Sequence, residues 1–154
     1  MLMNATFDTL RQFFIADEWF FIESGGKDQL ILRMSHWGEN GRFPCQAEYD
    51  NNLGIFSFHS YFPINVPQEK CLKMAQFITM ANYGIRIGNF EMDFERGAVR
   101  FRTSGDFDGQ EINDLLVSSH VYPNVWMMDR YLPGLFAVVN SDEDPKEIMK
   151  TMEE

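Results

Sequence analysis

Three histidines, His36, His59 and His120, are the side chains best suited to acid–base or metal chemistry. His36 and His59 lie near the ends of two predicted strands that could approach each other. A zinc site needs further ligands in fixed geometry, and no ligand spacing accompanies these residues. We therefore expect structural or surface roles for both. We expect His120, late in a predicted helix, to interact with the C-terminal end of the helix dipole.

Acidic residues that lie close together are better explained by structure than by chemistry. The segment 106–109, Asp-Phe-Asp-Gly, resembles a fragment of a calcium-binding loop, but Ser104 and Leu115 stand where that loop needs acids. Glu91 and Asp93 alternate with apolar residues on a predicted strand. Both should face solvent opposite arginines on the next strand, so acid–base work is not expected of them.

The sequence contains no phosphate loop, dinucleotide-binding fingerprint or nucleophile elbow. Cys45 and Cys71 are far apart, and each has apolar neighbours, so we expect buried free thiols in a reducing compartment. We expect no metal, no cofactor and no enzymatic activity. An enzyme whose catalytic groups come together only in the folded chain remains an alternative hypothesis.

The charge balance bears on partners and location. The chain has 13 basic and 23 acidic residues, giving a formal net charge of −10. Nucleic-acid binding draws on clustered Lys and Arg, so we expect neither nucleic acid nor an anionic membrane as a partner. The N-terminal residues do not form a signal peptide. The apolar stretch 135–139 is far shorter than the ~20 residues of a membrane span. We therefore predict a cytoplasmic protein.

Hydrophobic periodicity predicts the elements of the first half of the chain. Residues 5–16 have one apolar helical face, with Thr6 as the cap, and residues 19–22 continue in an extended conformation. Alternating apolar residues then predict three strands of an antiparallel meander, at residues 30–35, 42–49 and 53–62.

Turn and cap residues organise the second half. Pro67 suits the first position of a helix, and Gly84 suits a left-handed residue at its end. Gly97 provides the turn of a hairpin. Asp108 and Glu111 form a capping box for the next helix. The remaining elements are the hairpin strands at 90–94 and 99–102, the end of that helix at Pro123, a helical stretch at 124–139 and a short helix from 145.

The resulting order is α-β-β-β-α-β-β-α-α, which predicts an α+β fold. Its antiparallel sheet has two groups of strands, three before a helix and two after it, with helices packed on one face. Residues 1–140 form the predicted single domain. Residues 141–154 form an acidic, helical C-terminal tail that we expect to be peripheral.

An ordered set of residues resembles the bacterial YbjN family. The set comprises Pro63 and Val66-Pro67 before the second helix, Ala81-Asn82 and Gly84 at its end, Phe90-x-Met92-Asp93 and Gly97-x-Val99-x-Phe101-Arg102 in the hairpin, and Asp129-x-x-Leu132-Pro133 with Val138-Val139. The resemblance covers residues 5–140. It implies the fold of type III secretion chaperones and a non-enzymatic, usually dimeric module that engages another protein. The family is often described as sensory transduction regulators.

The sequence thus predicts a chaperone-like or regulatory homodimer that binds an unidentified protein. Four apolar residues opposite the expected core face could form its binding patch, or could lie under a helix or a dimer partner: Ile31, Trp37, Ile55 and Tyr61. The alternative is a small-molecule sensor with an apolar pocket between helices and sheet. Its lining would be Phe56, Phe58, Met74 and Phe77.

Overall fold

Six strands form one antiparallel sheet in this computed structural model, which describes residues 4–153. The strands are β1 (Phe21–Gly25), β2 (Gln29–Trp37), β3 (Arg42–Asp50), β4 (Ile55–Tyr61), β5 (Asn89–Asp93) and β6 (Ala98–Asp106). Their spatial order is β1-β2-β3-β4-β6-β5, so the late hairpin joins the early meander through β4 and β6. The predicted α+β class and the order of the predicted elements are confirmed, and β1 is an additional strand before the predicted meander.

Four α-helices accompany the sheet. They are α1 (Ala5–Ala16), α2 (Cys71–Gly84), α3 (Asp114–Asn140) and α4 (Pro145–Glu153), and a short 3-10 helix (Gln68–Lys70) precedes α2. α3 packs against β4 and β6 in the middle of the sheet, α2 packs against β5, and α1 packs against α3. Within residues 4–153, no helix has both the length and the apolar character that crossing a membrane requires.

The core lies between the helices and one face of the sheet. Burial alternates along the strands, as the period of two in the sequence predicted. The fully buried aromatic rings of this face include Phe43, Phe56, Phe58 and Phe101. Burying a Phe side chain contributes about 1.5–3 kcal/mol, so these rings determine which face of each strand turns inward.

The N-terminal segment differs from the prediction in two ways. Asn4, not Thr6, caps α1, because its side chain lies just before the first helical residue and accepts a hydrogen bond from the backbone N–H of Phe7. The predicted extended stretch at 19–22 overlaps a complete strand, β1, at residues 21 and 22, and this strand pairs with β2 and forms one edge of the sheet.

The ends of α2 also differ from the prediction. Pro67 is the N-cap of the 3-10 helix and not the first residue of α2. Gly84 is the last helical residue, and its φ is not positive. The chain instead leaves the helix through Ile85 in extended conformation. The Asn82 side chain secures this exit, because it accepts a hydrogen bond from the N–H of Phe90 (2.7 Å) and donates one to its carbonyl (3.1 Å).

The two helices predicted after residue 108 are one continuous helix. Asn113 caps α3 by accepting from the N–H of Leu116. The predicted capping box at Asp108 is wrong, because residues 107–113 precede the helix. Pro123 and Pro133 both lie inside α3 and do not end it.

Side chains from the sheet region contact α3 near both prolines. Pro133 has no N–H to donate to the carbonyl of Asp129 four residues earlier, and Asn40 Nδ2 donates to that carbonyl at 3.0 Å. Asn40 therefore replaces the donor that Pro133 lacks. In the turn before Pro123, the His120 carbonyl accepts a hydrogen bond from the Thr103 hydroxyl at 2.6 Å, which ties this turn of α3 to β6.

Asn124 fastens α3 to the centre of the sheet. Its side chain is fully buried, and its Nδ2 donates to the carbonyls of Phe58 (2.8 Å) and Phe101 (3.0 Å) on adjacent strands. Its Oδ1 accepts from the Ser60 hydroxyl at 2.5 Å. A buried polar side chain with these partners fixes the helix in one position on the sheet.

The C-terminal segment packs on the body of the protein. α4 lies against α2 and α3 and buries Ile148 and Met149. Lys70 of the 3-10 helix and Lys73 of α2 donate to the backbone carbonyls of Ser141 (2.6 Å) and Asp142 (3.1 Å), just after α3 ends. The expectation that this segment is peripheral is therefore wrong, since its apolar face completes the helical layer.

Candidate functional site

A groove lies where β1 stops short of its neighbour in the sheet. β1 begins at Phe21, which pairs with Met34, but β2 continues to Trp37. Residues 35–37 pair with β3 on one side and have no strand on the other in the part of the chain that the structure describes. The gap is a cavity of about 970 Å³, which we call the edge groove. Its lining is Asp17–Ile22, Arg33–Trp37, Arg42 and Tyr122.

The edge groove continues towards α3. An adjoining depression of about 640 Å³ shares His36 and Trp37 with it and is bounded by the β2–β3 turn and by α3. Trp126, Asp129 and Arg130 are the residues of α3 that line this part. Asp129 also accepts hydrogen bonds from two backbone N–H groups of the turn, at 3.1 and 2.9 Å. The floor of the depression is therefore held rigidly.

Large apolar side chains project into solvent around the edge groove. The exposed fractions are 95% for Phe20, 75% for Ile22, 74% for Trp37 and 62% for Trp126. Single exposed apolar residues are normal, but several around one cavity are typical of an interaction site. Trp126 stacks on Tyr122 at 5.8 Å, so part of this surface is ordered before any partner binds.

The end of α1 determines which aromatic ring turns inward. The N–H of Trp19 bonds the carbonyl of Phe14 (2.9 Å), and the N–H of Glu18 bonds that of Ile15 (3.1 Å). This is a Schellman motif, which requires a left-handed residue, and Glu18 has φ 61°. The Trp19 ring then packs edge-on against Phe14 at 5.8 Å. Phe20, the next residue, is left outside.

Asp17 connects the end of α1 to α3. Its carboxylate accepts hydrogen bonds from Trp19 Nε1 (2.8 Å) and from the Tyr122 hydroxyl. Burial, reinforced by the Asp17 carboxylate, raises the pKa of Tyr122 to about 12. Tyr122 therefore stays protonated and acts as a hydrogen-bond donor in the wall of the edge groove.

His36 is an aromatic wall residue of the edge groove. Its ring stacks on Trp19 at 5.5 Å and lies 5.4 Å from the ring of Phe43. Burial lowers the pKa of His36, and Asp129 opposes this effect. Because its ordinary value is already 6.5, the ring is largely neutral near pH 7. This favours stacking over proton transfer.

His59 lies on the opposite face of the sheet, so it does not converge with His36. Its side chain is only 3% exposed, and neither ring nitrogen has a hydrogen-bond partner among residues 4–153. Burial, followed by the positive charge of Arg100, lowers the pKa of His59 to about 4. The Glu48 carboxylate would favour a charged ring, but at 3.7 Å from Nδ1 it is beyond hydrogen-bond distance. His59 is therefore buried and neutral.

The expectation for His120 is wrong. α3 continues for another five turns beyond it, so His120 is not at a helix C-terminus. Its Nδ1 lies 2.8 Å from the Leu116 carbonyl, and its ring packs edge-on against Phe56 and Phe107.

No group of three His, Cys, Asp or Glu side chains within the described chain is arranged to hold a metal ion.

The four residues predicted as a binding patch share the uncovered face of the sheet but do not form one surface. The strand register places Arg33, Gln46 and His59 in a row across β2, β3 and β4. Two of the four predicted residues lie on each side of this polar row: Ile31 and Ile55 on one, Trp37 and Tyr61 on the other. Of these, Trp37 lines the edge groove.

The sequence reading missed Phe20, Ile22 and Trp126. The run Phe20–Ile22 carried a usable signal, because consecutive apolar residues in a strand point to opposite faces and cannot all enter one core. No comparable signal marks Trp126, since α3 is rich in apolar residues around much of its circumference.

The pocket expected between helices and sheet is filled by side chains. Phe56, Phe58, Met74 and Phe77 are at most 1% exposed. The space beside Phe56 is too small to admit a water molecule, whereas ligand pockets usually measure about 300–1,000 Å³. These four residues form the core.

No family model matches this chain, and neither does any curated protein. The edge groove therefore has to be interpreted from its geometry, which combines exposed aromatic side chains with an unpaired stretch of strand. Strand edges and apolar pockets together are the means by which many proteins bind extended peptide segments.

Proposed function

We propose that the protein is a non-enzymatic interaction module that binds a segment of another protein in the edge groove. The observation that carries this proposal is the exposure of Phe20, Ile22 and Trp37 beside the unpaired end of β2. Natural proteins usually protect a free strand with charges, proline or a covering loop. An unprotected edge with aromatic side chains around it is suited to a partner.

The bound segment would add to the sheet as a strand. Its backbone would pair with residues 35–37 of β2 or with the outer edge of β1, and its side chains would alternate between the two faces. Each net backbone hydrogen bond contributes about 0.5–1.5 kcal/mol. Burial of one large apolar side chain against Phe20 or Trp37 contributes about 1.5–3 kcal/mol. A short segment could therefore bind measurably.

The proposal includes a chaperone-like or regulatory homodimer in the cytoplasm. The resemblance to the YbjN family supports the dimer, and the outer edges of β1 and β5 offer two places for a second copy. Cys45 and Cys71 support a reducing compartment, because both are free and buried.

Affinity capture from the native host at low salt, followed by mass spectrometry, tests the docking site. The groove variant is Phe20→Ser, and the matched control is Tyr83→Ser on α2, since the two rings are 95% and 97% exposed. We expect the wild type and Tyr83→Ser to retain one stoichiometric protein that Phe20→Ser loses. Equal recovery by the two variants would contradict the proposed site.

Light scattering after size-exclusion chromatography tests the dimer separately. A homodimer is expected for the wild type at micromolar concentration. A monomer over the whole concentration range would remove the dimer from the proposal but would leave the docking site in place.

A further inference from the structure

Glu18 occupies a backbone position that does not suit it. It is the left-handed residue of the Schellman motif, with φ 61°, and it is the one non-glycine residue with positive φ among residues 4–153. Glycine is the usual residue there, because a side chain is strained in this conformation. The position lies in the lining of the edge groove, between Asp17 and Trp19.

The charge of Glu18 is also poorly placed within its own chain. The C-terminal end of a helix carries the negative end of the dipole, which disfavours carboxylates, and the last turn of α1 has no basic residue. Asp17 shares this location, but Trp19 and Tyr122 donate to its carboxylate. The exposed Glu18 carboxylate has no hydrogen-bond or ion-pair partner in the part of the chain that the structure describes.

The two arginines of the edge groove are already engaged by neighbours. Arg33 donates to the Ser24 hydroxyl at 2.8 Å. Arg42 lies over the Trp37 ring at 5.1 Å and donates to the Ser35 hydroxyl at 3.3 Å. These partners are neutral, so both arginines keep their charge, but both lie on the uncovered face of the sheet, whereas Glu18 lies at the end of α1. The formal net charge of the protein is −10.

We propose that Glu18 is a specificity-determining residue, which selects partner segments that carry a lysine or arginine beside an apolar side chain. This inference rests on the proposed function, since it assumes that the edge groove binds an extended segment. The cation would pair with the Glu18 carboxylate, and the exposed ring of Phe20 offers it an aromatic face. Unpaired rim charges chiefly set which partner binds and how fast it associates.

Synthetic peptides test this selection without knowledge of the partner. The probes are three fluorescein-labelled peptides of alternating valine and threonine with a central phenylalanine. They differ only in the residue next to that phenylalanine, which is lysine, glutamine or glutamate. Fluorescence anisotropy at low and at physiological salt gives the dissociation constant of each peptide for the purified full chain.

The wild type should bind the lysine peptide about three- to tenfold more tightly than the glutamate peptide, with glutamine between them. The preference should shrink at physiological salt because the pair is exposed. Glu18→Gln should abolish it, and Glu18→Lys should reverse it. Glu143→Gln is the matched control, since it removes one exposed carboxylate after the far end of α3 and should leave the preference intact.

Each outcome is decisive. Equal binding of the three peptides by the wild type overturns the role of Glu18 and leaves the docking groove standing. A preference that survives in Glu18→Gln assigns the selection to another residue and likewise overturns the inference. If no peptide binds, strand addition in the edge groove fails, and the inference fails with it. Circular dichroism of each variant confirms that it is folded.

Discussion

His59 should make the stability of this protein depend on pH. The ring is 3% exposed at the centre of the uncovered sheet face, and both of its nitrogens lack a hydrogen-bond partner among the described residues. Burial lowers its pKa from 6.5 to about 4. The folded state thus resists a proton that the unfolded chain takes up readily.

The sign and size of the effect follow from these two pKa values. Above pH 6.5 the ring is neutral in both states, so His59 has no pH-dependent effect. As the pH falls through 6.5, the unfolded state binds a proton that the folded state does not bind until about pH 4, and stability is lost. Between about pH 7.5 and about pH 5, the loss from His59 alone amounts to about 2 kcal/mol.

Urea unfolding of the wild type and of His59→Leu measures this loss. Leucine has a similar volume and does not titrate, so subtracting the two free energies of unfolding cancels the contributions of His36 and of the carboxylates. The difference between wild type and variant should change by about 2 kcal/mol between about pH 7.5 and about pH 5, with the wild type losing more.

Two results would refute this reasoning. One is a difference in the free energy of unfolding between the wild type and His59→Leu that is the same at both pH values. The other is an NMR titration in which the His59 ring signal has a midpoint near the ordinary value of 6.5 rather than near 4. Either result would mean that the ring is hydrated in the folded protein.

Two further predictions concern single residues in the folded state. Glu18→Gly should raise the free energy of unfolding by about 0.5–1 kcal/mol, because glycine adopts the left-handed conformation without strain. Urea unfolding of Glu18→Gly and of the control variant Glu18→Ala measures this gain. An equal gain in both variants would contradict the prediction. Asn124→Ala should lower the free energy of unfolding by about 3 kcal/mol or more, because it leaves buried partners on β4 and β6 unsatisfied. Asn113→Ala, which removes one helix cap, should lose about 1 kcal/mol in the same denaturant assay, and equal losses in the two asparagine variants would argue against the buried network.

The strands and their inward faces could be predicted because an extended chain has a period of two. The side chains of Leu30, Leu32 and Met34 alternate with exposed or half-buried ones, and no distant contact is needed to decide which face is apolar. The same holds for the hairpin turn at Gly97, whose φ of 74° favours glycine. These features are local properties of the chain.

The continuity of α3 could not be predicted, because it depends on donors far away in the sequence. A proline inside a helix removes a hydrogen bond and normally ends or kinks the helix. Here Asn40 and Thr103 donate to carbonyls of α3 in the turns that the prolines disturb. Nothing near Pro123 or Pro133 in the sequence indicates that these donors will be in place.

The sequence by itself determined the α+β class, the order of the main elements and the face of each strand that enters the core, because these follow from local periodicity and turn residues. The tertiary structure decided the candidate site. The edge groove exists because β1 stops short of the end of β2, and His59 is buried by residues of neighbouring strands. Exposure and charge environment depend on which distant segments meet, and local patterns do not contain that information.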